Sequence, residues 1–130
     1  MKSSEFGDIF EYEQRDWIFL AKIGDIMSAC RILDTEETRK INSLYEYRSK
    51  RNENCINQSI FCFVVLQTEG FKGRMAHFAK SELGDVKSIL YKTEVKLDKE
   101  DLIKIKKEIE NLNSSVSGGL RKIIKNIEIK

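Results

Sequence analysis

Not one of the 130 residues is a proline. Proline fixes φ, removes an amide donor and cannot sit inside a helix or a central strand. A chain without it can run in long uninterrupted elements joined by polar turns. Apolar side chains that recur every three or four positions would give those elements one oily flank each. The expectation from this pattern is an all-α protein, a single globular domain over 1–130 built as a compact bundle of four or five helices. The alternative is α+β, with short strands near 60–67, 86–97 and 126–130.

The spacing predicts a first helix from about Gln14 to Ile32, with Trp17, Leu20, Ala21, Ile23, Met27, Cys30 and Arg31 on its stripe and Gly24 as a tolerated weak point. Ile9 to Glu13 would extend it or form a short strand. Asp34 and Thr35 offer an N-cap to the next helix, with Glu36 and Glu37 in its first turn, where the positive helix end favours carboxylates. Ile41, Leu44, Tyr45 and Arg48 line one side of it. The block Cys55–Leu66 reads as a buried helix, with a buried strand as the competing template. Phe71, Met75, Phe78, Ala79 and Leu83 recur at helical spacing up to Gly84. From Asp85 to Leu97 helix and strand templates match about equally. Asp98 caps a further helix with Asp101 three residues on, a short-armed capping box, and Leu102, Ile105, Ile109 and Leu112 form its stripe. Leu120, Ile123, Ile124 and Ile127 suit a last amphipathic helix.

Composition sets bounds on function. With 41% hydrophobic and 34% charged residues the chain has the balance of a globular protein rather than a disordered one. Its densest apolar run, Ile60 to Leu66, is too short to span a bilayer. Met1 to Glu5 lacks the apolar core of a secretory signal. Cys30, Cys55 and Cys62 form no CxxC pair. These features predict a cytoplasmic protein with no disulfide framework, metal site, cofactor or membrane partner. Net charge is only +2, unevenly spread: residues 1–38 carry nine acids and four bases, whereas 39–130 carry nineteen bases and twelve acids. The asymmetry suits either an anionic partner or attraction between the two parts.

Few residues are equipped for chemistry. His77 is the sole histidine, so a nucleophilic or acid–base mechanism through imidazole must use it. Arg74 lies three residues before it, one helical turn away, and the pair is the weak catalytic candidate. HEPN-type nucleases separate their Arg and His by four residues, and this spacing differs. Gly70-Phe71-Lys72-Gly73 resembles the GxxG loop with which KH domains clamp single-stranded nucleic acid. A plain helix–turn–helix corner ended by Gly70 is the preferred reading. Candidate nucleic-acid contacts are Arg39, Lys40, Arg48, Lys50 and Arg51, with Tyr45 and Tyr47 interleaved, then Lys72 and Arg74, and Arg121, Lys122 and Lys125 towards the C-terminus. A solvated face would use the same side chains.

The functional expectation is a non-enzymatic helical accessory or regulatory module that acts by association with a protein partner or itself, with nucleic-acid contact through its basic faces. Two alternatives are a metal-independent nuclease-like enzyme using Arg74 and His77, and an inhibitor or immunity-type protein presenting the acidic N-terminal surface.

Overall fold

The computed structural model describes residues 5–50, 63–78, 82–84, 89–92, 94–110 and 118–129. The order is β1 (Ile9–Tyr12), β2 (Arg15–Ile23), β3 (Ile26–Ile32), α1 (Thr35–Lys50), β4 (Phe63–Val65), β5 (Met75–His77), β6 (Glu82–Gly84), β7 (Leu90–Tyr91), α2 (Lys99–Glu110) and α3 (Gly118–Lys125). The all-α bundle of four or five helices is therefore incorrect. The protein is mixed, with an antiparallel sheet in the order β4-β5-β3-β2-β1-β7 and three helices among the described residues. The short β6 adds to the same edge of β3 as β5, further along.

The span read as the first helix is the β2–β3 hairpin. Trp17 to Ala21 are five consecutive buried residues, because both faces of the sheet are covered. On one face Ile18, Leu20, Cys30, Ile32, Val64 and Ala76 meet Ile105 and Ile109 of α2 and Leu120 and Ile124 of α3. On the other, Phe10, Trp17, Phe19, Met27 and Ala29 form a second cluster with Tyr12, Leu83, Ile89 and Tyr91 at its margin. A strand apolar on both sides lacks the simple alternation of a half-buried one. Any run of that kind also contains residues three and four apart, so the helical template matched it by accident. Gly24 is the turn itself. Ile23 opposes Ile26, and Gly24 takes φ +61°, where glycine has no steric penalty.

The second apparent helix, from Phe71 to Gly84, supplies β5 and β6 instead. Within the Cys55–Leu66 block only Phe63–Val65 and Leu66 are described, and the three are a strand; the rest lies outside the described residues. The α+β alternative fits better at β4 and at β7, but 126–129 is a turn and irregular chain rather than a strand. The helices foreseen after Asp34 and Asp98, and the one around Leu120, are present.

α2 packs on β4 and on α3, and α3 on β2. The start of α2 is fixed by Asp101, which is fully buried. Its carboxylate accepts the Gln67 amide at 2.9 and 3.0 Å, the Thr68 amide at 2.7 Å and the Thr68 hydroxyl at 2.5 Å. Thr68 Oγ1 in turn accepts the Asp98 amide at 2.8 Å. Asp101 thus reaches across to the β4–β5 loop instead of closing a local capping box. A buried carboxylate is tolerable only when donors replace its lost water, and here three do. Asp101→Asn turns an amide NH2 towards those donors. It is expected to cost roughly 2–4 kcal/mol, and Thr68→Val about 1–2 kcal/mol, both read from urea denaturation midpoints.

The β1–β2 turn carries a second, opposite liability. Tyr12 opposes Arg15, and the two linking residues, Glu13 and Gln14, hold φ of 52° and 62°. A two-residue hairpin needs this left-handed pair, yet neither side chain suits it. Replacing the pair by Asn-Gly is expected to raise stability by about 1–2 kcal/mol, seen as a higher midpoint with an unchanged denaturant slope.

Candidate functional site

Register across the sheet brings six residues into one transverse line. Phe63 opposes His77, His77 opposes Arg31, Arg31 opposes Trp17, Trp17 opposes Phe10, and Phe10 opposes Tyr91. All six lie on the face of the second cluster, since alternation sends Ile18, Cys30, Ile32, Val64 and Ala76 to the other. Directly opposed residues have Cβ atoms about 5 Å apart. Phe10 and Trp17 are buried and finish as core. Phe10 meets Tyr91 edge-on at 6.0 Å, and Trp17 meets Tyr12 at 6.4 Å while donating its Nε1–H to the Tyr12 carbonyl at 3.0 Å. Phe63, His77 and Arg31 are half-buried, so this end of the line is where solvent and core meet.

Helix α1 closes this end. The Asp34 carboxylate accepts the Glu37 amide at 2.7 Å, and Glu37 Oε1 accepts the Asp34 amide at 3.2 Å, a reciprocal capping box. The other Glu37 oxygen holds Nη2 of Arg31 in a tight ion pair. One glutamate therefore starts the helix and orients the strand arginine, with side-chain exposures of 27% and 30% for the two partners. Neither side chain is fully desolvated, so the charge stays within reach of a ligand.

Arg74 has a different task. Its Nε donates to the Leu33 carbonyl at 2.6 Å and its Nη2 to the Ile32 carbonyl at 3.4 Å. Nη2 is 3.7 Å from Asp16, whose other oxygen is 2.7 Å from Lys92, and the guanidinium lies 5.3 Å from the Phe71 ring centre. These contacts clasp the β4–β5 loop to the end of β3. Along extended chain, positions three apart point to opposite sides, so the fold does not present Arg74 and His77 together. Arg31 is the arginine that faces His77. Gly70 to Gly73 belong to the loop joining β4 to β5 rather than to a corner between helices. Gly70 and Gly73 take φ of 97° and 85°, and Phe71 is buried.

The remaining basic candidates are dispersed. Arg39 and Lys40 are exposed on α1, Lys40 lying 3.7 Å from Glu36. The side chains of Arg48 and Lys50, and the whole of Arg51, lie outside the described residues. Lys72 is exposed in the β4–β5 loop. Lys122 and Lys125 are exposed on α3 beside the half-buried Arg121 and the exposed Glu110, in the helical layer over the first face. Much of the acidic 1–38 segment is built into β1–β3, and Asp16, Asp34 and Glu37 are engaged internally.

Burial pushes the Cys30 thiol far up, so it behaves as a small apolar core residue; Cys55 and Cys62 are outside the described residues. Among the described residues no three of His, Cys, Asp and Glu converge as metal ligands would, and no helix is long and apolar enough to cross a membrane. Compared with known protein families, with curated proteins and with solved structures, the chain matches none of them.

The Glu37 amide bonded to Asp34 holds that carboxyl below its usual range. A depressed folded value means the cap contributes fully above the ordinary aspartate range and is lost as pH falls through the folded value. Asp34→Asn keeps an acceptor at every pH. The wild-type protein is therefore expected to lose more thermal stability than Asp34→Asn on acidification from neutral pH, as followed by helical circular dichroism.

Proposed function

We propose that the chain is a non-enzymatic binding module that acts by association, and that it touches single-stranded nucleic acid at the Phe63–His77–Arg31 end of its sheet. The observation that carries the reading is the transverse line itself, which sets a guanidinium beside an imidazole and a phenyl ring on a half-buried shelf. Flat rings accept bases by stacking, and an arginine oriented from one edge offers its other N–H groups to a phosphate. Glu37 engages Nη2 of Arg31, the one nitrogen of that guanidinium bonded among the described residues. With a net charge of only +2, the contact is local rather than a broad electrostatic track.

Fluorescence anisotropy with labelled single-stranded RNA and DNA tests this. Binding at low salt is expected, with log affinity falling against log salt at a slope of about −1 to −2, one or two phosphates' worth. Phe63→Ala and Arg31→Gln are each expected to weaken binding roughly tenfold, while Lys122→Ala on the other face leaves it unchanged. Absence of binding at low salt overturns the reading, as does equal binding by all three variants.

One observation favours a second reading, metal-independent RNA cleavage. Glu37, Arg31 and His77 bring a carboxylate, a cation and an imidazole to one end of one sheet face. A base there would take the 2′-hydroxyl proton, the 2′-oxygen would bond to phosphorus, and the P–O5′ bond would break as an acid protonates the leaving oxygen. The cation would balance charge on the phosphorane. Products would be a 2′,3′-cyclic phosphate and a 5′-hydroxyl, from RNA but not DNA, with EDTA present. Product that persists in His77→Ala ends this reading.

A further inference from the structure

We propose that β4 is a docking edge for an extended acidic segment of a partner protein, which adds a strand to the sheet and sets its carboxylates against Lys104 and Lys107 of α2. β4 ends the sheet order, and among the described residues no strand lies beyond it. The Leu66 amide donates to the Arg74 carbonyl at 2.8 Å. With Val64 opposite Ala76 and Val65 opposite Met75, the two-residue alternation of an antiparallel ladder turns the Val64 backbone groups to β5 and those of Val65 outward. Val65 is also 37% exposed. An outward N–H and C=O on one residue are matched by another polypeptide strand, and a phosphodiester chain has no amide with which to reply.

Chemistry beside the edge specifies the occupant. An open groove of about 400 Å³ runs between β4 and α2, with Phe63, Val65 and Gln67 on one wall and Lys104, Lys107 and Glu108 on the other. Both lysines are exposed, and two ammonium groups against one carboxylate leave the wall positive. Edge strands in natural sheets are commonly guarded by lysine against indiscriminate pairing. The same charges select a segment whose residues on the α2 side are acidic and whose alternate residues are apolar enough for Val65 and Phe63. The two readings share Phe63; the peptide edge adds Val65 and the α2 lysines, whereas the nucleic-acid reading adds His77 and Arg31.

The test uses the full chain and a fluorescent peptide of about six residues alternating Glu and Val, with a Lys–Val peptide as its counterpart. Saturable binding of the Glu–Val peptide is expected, roughly tenfold tighter than the Lys–Val peptide, with a similar loss in Lys104→Glu/Lys107→Glu. Those lysines are exposed, so the variant keeps the fold, which circular dichroism checks. Hydrogen exchange at the Val65 amide is expected to slow in the complex. No binding, equal binding by the charge-reversed variant, or an unprotected Val65 amide would each overturn the proposal. So would light scattering that shows a dimer which the peptide does not dissociate, since the edge would then belong to a second copy.

Discussion

Burial of β2 and β3 on both faces is the constraint from which the rest of the architecture follows. A strand with five consecutive buried residues, Trp17 to Ala21, needs a layer above it and another below. Below, α2 and α3 bring Ile105, Ile109, Leu120 and Ile124 against the sheet. Above, aromatic residues from β1, β2 and β7 pack on one another. At about 25 cal/mol per Å² of apolar surface, these two clusters are the dominant stabilising term. Their shared wall is the β2–β3 hairpin, so every other element is placed relative to it. The one-residue irregularity between Phe19 and Ala21 fits the same demand, because a bulge re-aims the side chains beyond it.

Two polar clasps, one buried and one half-buried, then fix what hydrophobic contact alone leaves loose. Apolar packing is non-directional, whereas Asp101 meeting the Gln67 and Thr68 amides sets where α2 begins over β4. Arg74 does the corresponding work at the other end of the β4–β5 loop, binding the Ile32 and Leu33 carbonyls. Both side chains were candidates for something else in the sequence, a local cap and a catalytic cation. The distinction rests on partners 30 or more positions away, which no local window contains. Arg31 is the converse case. Its sequence neighbours make it the polar margin of an apolar stripe, and only pairing with β5 and α1 gives it His77 opposite and Glu37 at its guanidinium.

The sequence by itself determined the helices whose starts are written locally. Asp34 with Glu37 satisfies orphan amides from within four residues, and Asp98 stands ahead of a clean apolar stripe, so those elements are legible without the fold. It also set the charge balance and the shortness of every apolar run. The tertiary structure alone decided that 15–32 is a hairpin and that 75–77 and 82–84 are strands, because strand formation depends on partners distant in sequence and on which faces are covered. It decided the site for the same reason. A line of residues from β4, β5, β3, β2, β1 and β7 exists only once the register is set, and register is a property of paired strands rather than of any one of them.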